Sequence, residues 1–299
     1  LSSTSSCGAR EGLIQALTTN YRYNNMKAIK LILLGVSLFS ILPLGAQVFD
    51  KPRSLAEADS LDRVQYRVLY QLDFISDPTD REYVTQDQVR LDIGTQISKV
   101  YSLKHYQADS AATPLIETGQ FPRKIVTDVV PPMILYRGYP KTQDIITDYR
   151  LPAGAPVMSY VEPKPTLQWQ VKPEKREILG HSCQRAEVSF GGRQWIAWFT
   201  SEIPLSEGPY KFGGLPGLIL EVADSEGDYR YTCIGIANLS AGENIVRWKW
   251  NQRPTTRKEL EKIIVQLYAN PEQAIKALGG RMGFKGDPML NLPYNPIEK

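Results

Sequence analysis

The sequence has few of the residues that carry catalysis or hold metal ions. It contains two histidines, His105 and His181, and three cysteines among 299 residues. Neither a His-x-x-x-His nor a Cys-x-x-Cys spacing occurs, which argues against a metal site. His181 and Cys183 are two residues apart on one strand face, a spacing that does not assure the hydrogen bond between a nucleophile and its base. We therefore assign no catalytic residue, no metal ligand and no cofactor.

Long hydrophobic runs are also scarce, and the one present lies near the start of the chain. Leu31–Leu44 follows the basic segment Met26–Lys30 and precedes the small residues Gly45 and Ala46. This is the layout of a secretory signal peptide cleaved after Ala46. The run is too short to cross the ~30 Å hydrocarbon core of a bilayer, so we expect no transmembrane segment in the mature chain.

The leader divides the chain into three parts. We expect residues 1–25 to lie upstream of the true start, residues 26–46 to form the signal peptide, and residues 47–299 to form one domain. Because a signal peptide implies export, the mature chain is expected in the periplasm or associated with the outer membrane.

The mature part has no surplus of charge of either sign. The whole chain has 35 Lys and Arg and 32 Asp and Glu, and its first 46 residues hold four of the basic and one of the acidic residues. Residues 47–299 are therefore formally neutral. This balance gives no electrostatic reason to expect nucleic acid as a partner.

The mature part contains two of the three cysteines, Cys183 and Cys233, because Cys7 lies in the leader. Two cysteines in an exported protein predict one disulfide bond. The alternative is a pair of free, buried thiols.

Most of the mature sequence alternates between apolar and polar residues, which is typical of strands. Val64–Phe74 alternates almost strictly, Cys183–Phe190 alternates before a Gly191-Gly192 hairpin turn, and Gln194–Thr200 is apolar on both faces, as in a central strand. The pattern predicts a mainly β fold, with a curved antiparallel sheet or a bowl-like half-barrel.

Three segments break this pattern. Thr256 can cap a helix over Arg257–Tyr268, and Pro271–Leu278 can form a second short helix. The polar stretch Ala108–Thr118 predicts a loop. Five prolines between Leu151 and Pro173 predict an extended connector without a central strand.

Aromatic residues are the richest candidates for ligand contact. The rings that fall on or beside predicted strands are Trp195, Trp198, Tyr210, Phe212, Trp248 and Trp250. They either line an open face that binds a ligand or fill the hydrophobic core, and the sequence leaves both interpretations open.

The most distinctive segment is Phe212–Leu220, in which three glycines and a proline predict a tight turn that leads into a buried strand. Within it, Gly214-Leu215-Pro216-Gly217-Leu218-Ile219 is letter for letter the motif of the GLPGLI family. The frame around it is similar too: Cys183 and Ala186, then Trp198-Phe199-Thr200, Ile203-Pro204 and Gly208-Pro209, and the ending Pro293–Glu298.

The resemblance implies little chemistry. Members of the GLPGLI family are exported proteins of Gram-negative bacteria without an established activity. A related domain forms a bowl-like β module at the N-terminus of some secreted peptide-N-glycosidases, beside the catalytic domain. No catalytic residue can be transferred from that resemblance.

We therefore expect an exported, non-enzymatic envelope protein that binds an apolar ligand, a glycan or an outer-membrane protein on its aromatic face. One alternative is a hydrolase of glycans or glycopeptides that uses carboxylates, for which Glu221 and Asp224 are examples. Another is an assembly or structural subunit of the envelope.

Overall fold

The computed structural model describes residues 51–120, 132–152, 154–239, 242–279 and 294–299. The predicted signal peptide and its cleavage site lie outside these residues. Among the described residues, no helix combines the length and the apolar character needed to cross a membrane.

Strands are the most common secondary structure among the described residues. The strands are β1 (Ala58–Arg63), β2 (Tyr66–Phe74), β3 (Thr85–Ile93), β4 (Ser98–Ser102), β5 (Met133–Arg137), β6 (Asp144–Arg150), β7 (Val157–Pro163), β8 (Gln170–Ile178), β9 (His181–Phe190), β10 (Arg193–Thr200), β11 (Leu218–Asp224), β12 (Tyr229–Asn238), β13 (Asn244–Trp248) and β14 (Gln252–Pro254). The helices are α1 (Leu103–Glu117), α2 (Arg257–Ala269) and α3 (Pro271–Ala277).

Twelve of these strands form one open sheet that does not close into a barrel, in the order β14-β7-β6-β5-β4-β3-β2-β12-β11-β10-β9-β8. Its pairings are antiparallel except for the short parallel contact between β14 and β7. Strands β1 and β13 pair separately as a two-stranded sheet. The prediction of a mainly β fold is confirmed, and the sheet is mixed rather than wholly antiparallel.

The main core lies on one face of this sheet and follows from the alternation of the strands. On β2, Val68, Tyr70, Leu72 and Phe74 are all buried, as every second residue of a half-buried strand should be. Burial of each such side chain stabilises the fold by about 1.5–3 kcal/mol. Phe74 packs in the same core cluster as residues of β9 to β12.

The glycine-rich segment enters this core as predicted, as a turn that leads into a buried strand. Gly217 has a φ of 150°, and a Cβ atom there would lie 2.0 Å from the carbonyl oxygen of Thr200. The Tyr70 hydroxyl donates to the Ile219 carbonyl at 2.7 Å, and the Arg137 guanidinium donates to the Phe212 carbonyl at 2.8 Å. The segment is therefore held by strands that are far away in sequence.

The prediction of a loop over Ala108–Thr118 is wrong, because these residues belong to helix α1 apart from Thr118, its C-cap. Ser102 caps the helix by accepting a hydrogen bond from the His105 backbone N–H at 3.2 Å. The buried residues His105, Asp109 and Ala112 follow a helical spacing. Two of the three are polar, so apolar periodicity does not reveal this helix.

The proline-rich connector prediction is also wrong in part, because β7 lies inside it and pairs with both β6 and β14. Pro163 ends the strand, beyond the three residues that pair with β14. Pro173 lies on edge strand β8, where the register shifts between Val171 and Lys175. These two prolines thus lie at the end of a strand and at an irregularity of an edge strand, where a missing backbone N–H is tolerated.

The two predicted C-terminal helices are confirmed. Thr256 and Glu259 form a reciprocal capping box at the start of α2, and Leu260, Ile264 and Leu267 form its buried stripe. Asn270 caps α3, which begins at Pro271.

Candidate functional site

The structure divides the six predicted ligand-face rings into separate environments. Trp195, Tyr210 and Phe212 are 1%, 6% and 0% exposed and belong to the main core. The ring centroids of Trp195 and Phe212 are 4.6 Å apart. These three rings pack against other protein side chains, so they are residues of the hydrophobic core.

Trp198 lies on the opposite face of β10 from Trp195, because the two residues are three positions apart on one strand. It is half-buried, and the guanidinium carbon of Arg176 lies 4.2 Å from the centroid of its ring. It also packs against the main core, to which Trp195, Tyr210 and Phe212 belong.

Trp248 and Trp250 are stacked, with ring centroids 5.2 Å apart. They belong to a smaller apolar cluster away from the main core, with Tyr101, Tyr136 and Tyr106. Trp248 also lines a cavity, so this cluster places a predicted ring beside open space.

This cavity, which we call the α1–β13 pocket, has a volume of about 310 Å³. Helix α1 contributes Tyr106, Ser110 and Thr113 to it, and the segment that leads into β13 contributes Glu243. Strands β3 and β4 provide the other side with Arg90, Asp92, Lys99 and Tyr101.

The register of β3 and β4 explains why these four side chains meet. Arg90 is paired with Tyr101, and Asp92 is paired with Lys99. Residues two apart on a strand point to the same side, so all four lie on one face of the sheet. That face is opposite to the one that presents Val89, Leu91 and Ile93 to the main core.

Two carboxylates and two guanidinium groups in and beside the pocket neutralise one another's charge. Asp92 accepts from Arg67 at 2.7 Å and from Arg90 at 3.0 Å. Glu243 accepts from Arg67 at 2.7 Å and from Arg90 at 3.0 Å. Tyr101 also donates its hydroxyl proton to Asp92 at 3.0 Å.

Lys99 has a different environment. It is 2% exposed, and its Nζ atom donates to the Val246 carbonyl at 2.8 Å. The same atom lies 3.2 Å from the centroid of the Trp248 ring and 4.7 Å from that of Tyr101. Burial lowers the pKa of Lys99 well below its usual value, against the opposing effect of Asp92 and Asp148.

Sequence reasoning missed Arg90, Asp92, Lys99 and Tyr101 as a group. The available signal was the alternation of polar side chains along the segments that form β3 and β4. That signal indicates a shared face but not what covers it, and α1 and β13 cover it here.

The structure does not support a nucleophile at Cys183. His181 Nδ1 lies 2.7 Å from Glu202, and the Cys183 thiol donates to the His181 backbone carbonyl at 3.5 Å instead of to the ring. Burial raises the pKa of Cys183 to about 11, so the reactive thiolate is disfavoured.

The predicted disulfide is not formed in the structure. Cys183 and Cys233 are free and buried, which is the alternative that the sequence left open. Burial also raises the pKa of Cys233 to about 11.

The carboxylates considered for hydrolysis are not arranged as a pair. Glu221 and Asp224 are three residues apart on β11, which places them on opposite faces. Glu221 lies 2.7 Å from Arg176 and 3.1 Å from Arg230. Asp224 lies 2.5 Å from the buried Arg193.

Asp224 also belongs to a cluster of three carboxylates with Glu226 and Asp228. The Arg193 guanidinium lies 2.9 Å from Asp228 and 3.6 Å from Glu226. This side chain places a positive charge among the three acids, so their proximity is explained without an ion.

Comparisons with known proteins connect one segment of the chain to a family. No curated protein matches the sequence. Two solved structures of PNGF-II, from two crystal forms, are similar, with TM-scores of 0.45 and 0.44 at 12% and 13% identity. Each covers 67% of this chain and 32% of the PNGF-II chain, so this chain spans about a third of that length. Residues 192–221, which contain the GLPGLI motif, match a family described as a protein of unknown function (Porph_ging).

Proposed function

We propose that this protein is an exported, non-enzymatic binding protein of the cell envelope, and that the α1–β13 pocket holds one small ring-shaped ligand. The observation that carries the proposal is the pocket itself, with Tyr101, Tyr106 and Trp248 in its wall beside charged groups. Apolar and aromatic walls with a few convergent polar groups are the usual features of small-molecule sites.

The volume of the pocket restricts the ligand. Its 310 Å³ is at the lower end of the range of ligand sites and equals the volume of about ten water molecules. A monosaccharide or a single aromatic ring fits this space, whereas a lipid chain or a folded partner does not. Of the partner classes expected from the sequence, a glycan unit or a small apolar ring therefore suits the site best.

The state of the pocket carboxylates favours binding over catalysis. Asp92 lies within hydrogen-bonding distance of two arginines and a tyrosine, and Glu243 is held by the same two arginines. A general acid or base must be available to exchange a proton with substrate, and these two groups are engaged with cations.

Titration of ring compounds against intrinsic tryptophan fluorescence and by calorimetry tests this proposal, because Trp248 lies in the wall. We expect saturable binding of at least one monosaccharide or monocyclic aromatic compound. Ser110→Phe places a ring at an exposed position that lines the pocket and should abolish binding.

Gln107→Phe is the matched control, because Gln107 is exposed on the same helix but is not part of the pocket wall. It should bind as the unmodified protein does. Equal effects of the two variants, or no saturable binding across both ligand classes, would exclude the pocket as the site.

Export is the second part of the proposal, and it is supported by the basic segment, the apolar run and the small residues that precede Gln47. N-terminal sequencing of the protein from its own cell envelope should begin at Gln47. Recovery from the cytoplasmic fraction with the apolar run Leu31–Leu44 still attached would contradict it.

A further inference from the structure

We propose that the ligand of the α1–β13 pocket is a ring compound with one carboxylate group, such as a sugar acid or an aromatic acid, and that Lys99 binds this carboxylate. The inference rests on the proposed binding function and names the chemical class of its ligand. It is carried by the pairing of the charged groups around the pocket and by the contacts of the lysine.

The first observation is the pairing of the charged groups in and beside the pocket. Arg67 and Arg90 pair with Asp92 and Glu243 through the hydrogen bonds described above. Lys99 is the remaining basic side chain of this group. A ligand carboxylate gives it an acidic partner, whereas a neutral or cationic ligand does not.

The second observation concerns the groups around Lys99. The charged and titratable side chains on the elements near it are Arg90 and Asp92 on β3, Tyr101 on β4, Tyr136 on β5, Asp148 on β6, Tyr106 on α1, and Glu243 and Arg247 at β13. The buried carboxylates among them have arginine partners, since Asp148 accepts from Arg247 at 2.8 and 2.9 Å. Among the described residues, no carboxylate lies within ion-pair distance of Lys99.

The third observation is the hydrogen-bonding capacity of the lysine. An ammonium group has three N–H donors, and in the described residues Lys99 uses one of them, to the Val246 carbonyl. The Trp248 and Tyr101 rings stabilise the charge by cation–π contact on their sides. A carboxylate in the adjacent cavity can accept from the other donors and form a charge-assisted hydrogen bond.

The aromatic wall suits the body of such a ligand. Tyr106 and Trp248 have ring centroids 6.1 Å apart and planes 29° apart, and both border the cavity. Ring faces of this kind pack against the apolar face of a sugar or an aromatic ring. The same pocket therefore offers a surface for the ring and a cation for its acid group.

Calorimetry with matched acid and neutral probes tests this inference: glucuronate against glucose, and benzoate against benzyl alcohol. We expect the acid of at least one pair to bind 10-fold or more tightly than its neutral partner, because the carboxylate gains a charge-assisted hydrogen bond from Lys99 that the neutral probe lacks. Comparison of the two pairs shows whether the pocket prefers a sugar or an aromatic ring.

The variant Lys99→Met replaces the amine with an uncharged side chain that is one atom shorter. It should abolish the preference for the acid, so that the acid and its neutral partner bind with equal affinity. Lys249→Met is the control, because Lys249 is exposed and pairs with Asp59 at 2.9 Å outside the pocket. That variant should keep the preference in full.

A measurement on the unmodified protein covers the case in which Lys99→Met does not fold. Burial disfavours the charged form of Lys99 in the empty pocket, and a carboxylate favours it, so binding of the acid should take up protons. Calorimetry in two buffers with different ionisation enthalpies should show this uptake for the acid but not for its neutral partner.

The outcomes separate this inference from the proposed function. Equal affinity for acid and neutral probes, or an acid preference that Lys99→Met leaves intact, would overturn the role of Lys99 while the pocket remained a binding site. If neither member of either pair bound and Ser110→Phe changed nothing, the binding function itself would be wrong.

Discussion

Single residues in this protein are constrained by contacts that their sequence neighbours do not reveal. Gly217 illustrates this, because the space for its missing side chain is occupied by the Thr200 carbonyl oxygen. Its positive φ makes glycine favourable, and the close carbonyl makes any larger residue unfavourable. Both effects are structural, so the glycine at this position of the motif is explained by the packing of the turn.

Gly217→Ala should therefore destabilise the protein by about 3 kcal/mol or more, because the new Cβ atom forces the backbone of Thr200 to move. Chemical denaturation measures this change in the free energy of unfolding. Gly235→Ala is the control, since no atom lies within 4 Å of the position its Cβ would take. Similar stabilities for the two variants would contradict the account of the turn.

His105 should make the stability depend on pH. Burial, then the nearby charges of Arg150 and Arg53, lowers its pKa well below the usual value of 6.5. Below about pH 6.5 the unfolded chain binds a proton that the folded protein does not, so the free energy of unfolding should fall as the pH decreases from 6.5 towards the folded pKa.

Urea denaturation at several pH values between 5 and 8 measures this dependence. His105→Gln should show a shallower fall in stability below about pH 6.5 than the unmodified protein, whatever its stability at pH 8. If the two proteins had the same pH profile, His105 would not be the group responsible.

Helix α1 is the element on which the pocket depends, and it is held by a buried ion pair. Arg150 on β6 donates to Asp109 at 2.5 and 3.0 Å, and both side chains are 2% exposed. Asp109 also accepts from the Arg53 backbone N–H at 2.7 Å. This carboxylate therefore joins the helix to the sheet and to the segment that precedes β1.

Asp109→Ala should destabilise the protein by about 3–5 kcal/mol, because it leaves the Arg150 charge buried without its carboxylate. Glu117→Ala is the control on the same helix, since its carboxylate makes an exposed hydrogen bond to Ser54, and its effect should be within about 1 kcal/mol. Thermal and chemical denaturation of both variants measures the two changes in stability. A small effect of Asp109→Ala would show that α1 is held by other contacts.

At the scale of the whole molecule, residues 294–299 connect parts of the fold that are distant in sequence. Glu298 lies 2.6 Å from the buried Lys211 and 2.7 Å from Arg257 on α2, and it also accepts from the Tyr210 hydroxyl. Asn295 donates to the Ile75 carbonyl at 2.8 Å and accepts from Arg193 at 2.6 Å. Residues 294–298 of the ending that resembles the GLPGLI family are thus part of the packed structure.

Glu298→Ala should lower the free energy of unfolding by about 2–3 kcal/mol. This is at or below the low end of the loss expected when a buried ion pair is broken, because Lys211 keeps Glu162 as a partner at 2.5 Å. Lys299→Ala should change it by less than about 1 kcal/mol, since its pair with Glu226 is at the surface. If the two variants were equally stable, the C-terminal residues would not contribute to the fold in this way.

Local chemistry specifies several features that can be read from the sequence alone. The alternation of β2 and β9 follows from a period of two, the turn at Gly217 from a glycine backbone angle, and the capping box at Thr256 from a hydrogen bond three residues away. The mainly β class and the two C-terminal helices could therefore be predicted. Helix α1 could not, because its buried stripe includes Asp109, whose burial depends on Arg150.

Which aromatic residues face a cavity depends on the tertiary structure. Trp195 and Trp248 each fall on or beside a predicted strand, and neither pattern tells whether the ring meets packed protein or open space. Trp195 fills the core because β10 lies inside the large sheet, whereas Trp248 borders the pocket because β13 pairs with β1 outside that sheet. The position of Lys99 beside Trp248 follows from the same non-local pairing, and no local pattern encodes it.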